Sequence, residues 1–216
     1  EVIKVETPAG DYIREMTWPI IEGVSLMHYH LNRGKKSIAL DLKTEAARRI
    51  YRDLVRDADV VIEASKPGAL AKYGLGYEDL RKINPKIVFC TVSGYGMTGP
   101  YKDMPSHGIA YDTWSGAVKP ACDEEGFSYI PEHVGIGINA APLFGGLAVL
   151  AGVIRARETG EGCFMDLAQS DAAAAFDWYR SESYMAYARP EDVVTGNKSD
   201  NHVRRPVATA GMKEGV

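Results

Sequence analysis

The chain has 216 residues, of which 45% are hydrophobic and 25% charged, with a formal net charge of −4. That size and mixture fit one globular domain or two small ones and exclude a disordered or fibrous chain. The acidic balance argues against nucleic acid as a bulk partner. Three cysteines (Cys90, Cys122 and Cys163) with no CxxC spacing argue against a disulfide framework and for a reducing, cytoplasmic setting.

In chain order, Val2–Val5 reads as a strand already under way at the first residue, with no secretory-leader character before it. The chain is therefore expected to be part of a longer polypeptide. Ser37–Leu42 is a second strand, and Thr44 sits where a helix N-cap belongs. Ala46, Ala47, Ile50, Tyr51, Leu54 and Val55 follow it at helical spacing. Asp59–Glu63 is a third strand, closed by a turn at Pro67 and Gly68. Tyr77–Ile83 reads as a short helix and Ile87–Val92 as a fourth strand. This alternation implies an α/β fold built on a parallel sheet with helices on both faces.

Residues 94–135, rich in Gly, Pro, Tyr and Asp, read as an ordered loop region with a short helix near Ile109–Val118. Ala140–Arg157 is a long helix, apolar nearly all round, and is expected to be buried. Its longest apolar run, near Gly145–Ile154, is too short for a bilayer, so no membrane association is expected. Cys163–Leu167 is a fifth strand, and Ser170 is placed as the N-cap of a helix from Asp171 to about Ala188. From Arg189 onward the chain is polar without a period. The expected division is a large domain over residues 1–188 and the start of a linker to a further domain over 189–216.

Four groups of residues carry possible chemistry. Gly94-Tyr-Gly-Met-Thr-Gly99 formally matches GxGxxG after a strand, but Pro100 and Pro105 work against the helix that a dinucleotide fingerprint requires. It reads as a glycine-rich turn over a ligand or an interface. Asp171 lies at a helix start, where the helix dipole favours an ionised, nucleophilic carboxylate, although taken alone it reads more readily as a helix cap; Asp166, within an apolar strand, is assigned a structural hydrogen bond. His107, beside Gly108 at the entry to a helix, is a candidate acid or base. Asn32-Arg-Gly-Lys-Lys36 with Lys43, Lys66 and Lys72 places cations on loops at strand ends, which suits phosphate binding and equally suits ordinary solvated surface. His28 and His30 have no carboxylate or cysteine partner at metal spacing, so no metal site is expected.

Taken in order, these segments resemble the class III coenzyme A transferases, the CaiB/BaiF family, which includes the α-methylacyl-CoA racemases. The resemblance rests on Glu1–Glu6, Asn32–Lys43, Ala58–Glu63 with Pro67–Leu70 and Gly74–Tyr77, Asn84–Val88, Ser93–Tyr101 and Gly160–Asp171. It covers roughly residues 1–188. It implies a Rossmann-like large domain from an interlocked dimer, with Asp171 as the nucleophile. It also implies CoA or acyl-CoA as substrate, no permanently bound cofactor, and CoA contacts at Leu40, Asp41, Lys43, Lys66, Lys72 and Ser106. The family's first strand and helix would precede Glu1, and a glycine-rich loop used by some members would follow Val216. Thr7 stands where some members carry an arginine.

The expected activity is transfer of CoA from an acyl-CoA thioester to a free carboxylic acid through an aspartyl-CoA intermediate on Asp171. Two alternatives remain open on the sequence. One is an α-methylacyl-CoA racemase using His107 and Asp171 as its acid–base pair, since Ser106–Tyr111 resembles the racemase segment, although Gly108 replaces its usual aspartate. The other is an inactive CoA-binding fragment.

Overall fold

The computed structural model describes residues 1–176 and 178, except 17, 119 and 132–134. Backbone contacts divide it into two units. Glu1–Phe89 and Ala151–Phe164 form one; Cys90–Leu150 and the described residues from Met165 to Phe176 form the other. The expected helix beyond Phe176 and the linker over 189–216 lie outside the described residues.

In the first unit, β1 (Ile3–Glu6) pairs in parallel with β4 (Lys36–Ala39), in a register from Ile3 opposite Lys36 to Glu6 opposite Ala39. The chain between them holds elements that hydrophobic periodicity does not reveal. These are a 3-10 turn at Tyr12–Arg14, a hairpin of β2 (Pro19–Ile21) and β3 (Val24–Ser25), and helix α1 (Leu26–Asn32). The segment is held by polar contacts instead. The Ser25 hydroxyl accepts from His28 N at 3.0 Å to cap α1. Buried Glu6 accepts from Arg14 Nε at 2.9 Å and Nη2 at 2.8 Å, from Asp11 N at 3.0 Å and from Ser37 Oγ at 2.7 Å. Lys4 pairs with Asp11 at its edge.

The expected second strand ends at Ala39 rather than Leu42, because the backbone turns at Asp41. There Asp41 O accepts from Thr44 N and from the Thr44 hydroxyl, both at 2.9 Å. Thr44 does cap α2 (Glu45–Arg56), accepting from Ala47 N at 3.3 Å. β5 (Val60–Glu63) and the short α3 (Tyr77–Leu80) complete the local run. Val55, Val61, Leu75, Leu80, Ile87 and Phe89 form the unit's core. Phe89 and Phe164 stack 6.0 Å apart, with Tyr77 closing the aromatic group.

β6 (Val88–Ser93) lies between β5 and β9 (Cys163–Ala168) in a three-stranded sheet. Burial of Val88 through Thr91 without alternation is what a central strand covered on both faces requires. The architecture is mixed α/β with parallel pairing and covering helices, as the alternation implies. The glycine-rich region carries α4 (Ile109–Trp114) and also an unforeseen hairpin, β7 (Ala121–Cys122) with β8 (Ser128–Tyr129).

The long helix α5 runs over Gly137–Thr159, three residues earlier than expected, and it is not buried all round. Leu143, Leu147 and Leu150 are 61%, 68% and 63% exposed, while Ala140 and Ala141 are 2% and 0% exposed. The helix turns its small residues inward. Gly145 lies so close to Leu167 that a Cβ there would be 2.9 Å from Leu167 Cδ2. Hydropathy alone does not distinguish this arrangement from full burial, because close approach favours the small face. By length and composition α5 suffices to cross a bilayer, which corrects the estimate from the uninterrupted apolar run. Core helices satisfy the same test, and Ala140 and Ala141 pack with Ala172 in the core of the second unit.

The Arg14 bond, with Ser37 and Lys4, holds the Glu6 carboxyl down at about 2 against an ordinary 4.5. Its ionised form therefore stabilises the fold above pH 4.5, and that contribution is lost as pH falls through about 2. Glu6→Gln is expected to cost about 2 kcal/mol at neutral pH. Urea unfolding across a pH series checks this: the gap between wild type and variant should close in acid, and a gap independent of pH contradicts it.

Candidate active site

Strand β9 passes directly into helix α6 (Gln169–Phe176) with no intervening residue. The helix thus starts two residues earlier than the sequence suggests. Ser170 is inside it rather than at its cap, because Ser170 is buried and its N–H donates to Gly94 O at 3.0 Å. Asp171 falls in the first turn, where the amide ends of the helix favour a carboxylate. The Asp171 side chain is exposed, and the Ser170 hydroxyl lies 3.3 Å from its Oδ1. Ala172 and Ala173 behind it are buried at 4% and 0% exposure. The junction therefore fixes the backbone under Asp171 and leaves its carboxylate open to a reactant.

The glycine-rich turn after β6 is tied to this junction at two points. Gly94 O receives Ser170 N, and Met97 N donates to both oxygens of Asp166 at 3.0 and 2.9 Å. Asp166 thus does make a structural bond. Within the turn, Ser93 Oγ accepts from Gly96 N at 2.9 Å. No helix follows it, so the turn is not a dinucleotide fingerprint. Gly94 is required by close approach, since a Cβ there would collide with the Ser106 side chain. Trp114 of α4 makes edge contacts with Tyr101 at 4.7 Å and Tyr95 at 5.7 Å, and burial pushes the Tyr95 hydroxyl above its ordinary value.

Ser106 and His107 are exposed in the segment entering α4. Ser106 is placed against the glycine-rich turn, and the His107 carbonyl accepts from Ala110 N at 3.0 Å. Gly108 adopts φ 43°, ψ −104°, a conformation strongly unfavourable for any residue with a Cβ. The aspartate usual after the racemase histidine would need a different backbone here. Sequence reasoning missed Asp112. It is 1% exposed and accepts from Ile136 N at 3.1 Å and Gly137 N at 2.6 Å. Its signal was an acidic residue inside the otherwise uncharged stretch Ile109–Trp114. Of the three aspartates around α4, β9 and α6, Asp112 and Asp166 are engaged by backbone amides. Asp171 is exposed with the Ser170 hydroxyl beside it, and no backbone amide is seen on its carboxylate among the described residues.

The residues expected to contact CoA belong mostly to the first unit. Leu40 is buried at 7% exposure. Asp41 Oδ1 accepts from Lys43 N at 3.1 Å, and Arg48 Nη1 donates to the carbonyls of Leu42 at 3.0 Å and Lys43 at 2.8 Å. This loop is fixed, with the Lys43 ammonium exposed. Lys66 and Lys72 are exposed on the turn after β5, where Lys66 O accepts from Ala69 N at 2.9 Å and Gly68 O from Lys72 N at 3.2 Å. Leu40, Asp41, Lys43, Lys66 and Lys72 are thus in one unit, and Ser106, His107 and Asp171 in the other. Among the described residues no three His, Cys, Asp or Glu side chains gather as metal ligands.

The family model described as CoA-transferase family III matches residues 1–210. The succinate–glutarate CoA-transferase of Agrobacterium fabrum is 38% identical over 212 residues, 93% of this chain and 52% of that protein. The acetyl-CoA:oxalate CoA-transferase of Acetobacter aceti is 37% identical over 179 residues, 81% of this chain and 45% of that protein. A CaiB/BaiF family protein from Brucella suis superposes with a TM-score of 0.75 at 34% identity, covering 88% of this chain and 51% of that one. The chain spans about half the length of these relatives. By sequence and by fold alike, the chain belongs to CoA-transferase family III.

Proposed function

We propose that the whole protein transfers coenzyme A from an acyl-CoA thioester to a free carboxylic acid, with Asp171 as the covalent nucleophile. The observation that carries this reading is the exposed Asp171 carboxylate on a buried strand–helix junction, in the first turn of α6. The Asp171 carboxylate attacks the thioester carbonyl, the C–S bond breaks, and CoA thiolate leaves a mixed anhydride. The thiolate then attacks the aspartyl carbonyl, releasing the donor acid with one oxygen from Asp171. The acceptor carboxylate attacks the resulting aspartyl thioester, and the freed thiolate takes the acceptor's acyl carbon, restoring Asp171. No oxidant and no net proton are needed, and covalent catalysis divides one hard exchange into easier steps. Backbone amides of the first turn of α6 are suited to stabilise the oxyanions.

Lys43, Lys66 and Lys72, exposed on fixed loops, are proposed to meet CoA phosphates, with Leu40, Asp41 and Ser106 as further contacts. The family resemblance supports an interlocked homodimer, and three cysteines without a CxxC spacing favour a reducing, cytoplasmic setting. The names of the two relatives above, succinate–glutarate and acetyl-CoA:oxalate transferases, make dicarboxylic acids the first acceptors to test. The racemase reading is disfavoured by the Gly108 backbone, which does not suit the aspartate of the racemase segment. His107 is proposed to assist by hydrogen bonding or proton transfer without being indispensable.

A trapping experiment and two substitutions test this. With hydroxylamine and a panel of acyl-CoAs, peptide mapping of the full-length protein should find a hydroxamate on Asp171. Asp171→Ala should lower turnover at least about 10³-fold with the fold retained, and retained turnover would sink the assignment. His107→Gln should keep part of the transfer activity. Its complete loss, with deuterium entering the acyl α-carbon from heavy water in the wild type, would establish the racemase instead.

A further inference from the structure

The geometry points to Asp112 as a positioning residue that sets the orientation of Asp171 through the first turn of α5. This rests on the reading of Asp171 as the nucleophile. A carboxylate that is 1% exposed is costly to bury unless hydrogen bonds replace its water. Asp112 finds those bonds at one end of a helix. Its Oδ2 accepts from Ile136 N at 3.1 Å and its Oδ1 from Gly137 N at 2.6 Å, where the 23-residue α5 begins. A helix start is ordinarily capped by the residue beside it. Here the cap comes from α4, 24 and 25 residues earlier in the chain, so the bond that completes α5 also fastens α4 to it.

The fastening reaches α6 through Gly137. A Cβ at Gly137 would lie 2.7 Å from Tyr111 Cδ2, 2.9 Å from Asp112 Oδ1 and 2.9 Å from the backbone oxygen of Gln169. Helices α4, α5 and α6 thus meet at a point with no room for a methyl group. One turn further along α5, Ala140 and Ala141 pack against Ala172. Gln169 and Ala172 lie on either side of Asp171 in the sequence, so the start of α5 is the surface against which that stretch of α6 rests. Asp112 holds that surface. Releasing it would let the α5 end shift against Gln169 and tilt the turn that presents Asp171. Misplacement of a reacting group by about 1 Å costs on the order of 10²-fold in rate.

The test is Asp112→Asn in the full-length, assembled protein. The variant keeps the side chain's shape but turns an amide NH2 toward one of the two backbone N–H groups. Its kcat should fall by about 10- to 100-fold. KM for acyl-CoA should stay within about two-fold, and hydroxylamine capture at Asp171 should slow by the same factor as kcat. A lowered melting temperature with kcat and capture unchanged would make Asp112 a structural cap only and overturn the inference, leaving Asp171 in its role. Absence of capture at Asp171 in the wild type would remove both. Asp112→Glu keeps the charge and both acceptors one methylene further out, and it keeps the test open should the asparagine variant fail to fold. A fall in kcat without a matching rise in KM is expected there too, and an unchanged kcat overturns the proposal.

Discussion

The bond from Ser170 N to Gly94 O joins the glycine-rich turn after β6 to the residue just before Asp171, and the arrangement of the second unit depends on it. It places the turn against the strand–helix junction and works with the paired acceptance of Met97 N by Asp166. It also imposes a steric condition. The turn lies so near the Ser106 side chain that position 94 must be glycine. These backbone-level ties fix the chain beneath Asp171 without engaging its carboxylate, which is what the proposed role of that residue requires.

The distribution of charge follows the same logic. Asp112 and Asp166 each accept from main-chain amides and so tie separate segments together. Asp171 differs in environment rather than in residue type. It sits in the first turn of α6, exposed, with a neighbouring hydroxyl. In the first unit, Glu6 plays a part like that of Asp112, gathering Arg14, Asp11 and Ser37 where apolar burial is thin. Charged residues thus organise the segments that hydrophobic packing leaves loose in both units.

The sequence made the repeating elements legible because their signals are local. Thr44 before an apolar period marks α2, and the unbroken run Ile87–Val92 marks a central strand. The place of Asp171 at a strand–helix boundary was legible, though the boundary itself fell two residues earlier, and its reading as a nucleophile came from the family resemblance rather than from that place. Other features depend on distant partners and left no local trace. Nothing beside Gly137 shows that its cap lies on α4, and nothing in an apolar helix shows that α5 turns its alanines inward and its leucines out. The segment Asp11–Asn32 was silent because hydrogen bonds to Glu6 and Ser25, rather than an apolar period, hold it. Asp112 was overlooked for a related reason: an acidic residue within an uncharged stretch reads as ordinary surface until its burial is known.

In the proposed reaction Asp171 exchanges an oxygen atom with the carboxylic acid it serves. The most direct measurement supplies the full-length protein with an acyl-CoA donor and an acceptor acid labelled with heavy oxygen in its carboxylate, then weighs the peptide that contains Asp171. Transfer through an aspartyl thioester predicts that one labelled oxygen enters the Asp171 carboxylate during turnover, because the mixed anhydride is resolved at the acceptor's carbonyl. Turnover with no label at Asp171 would contradict the covalent route and with it the role assigned to this residue.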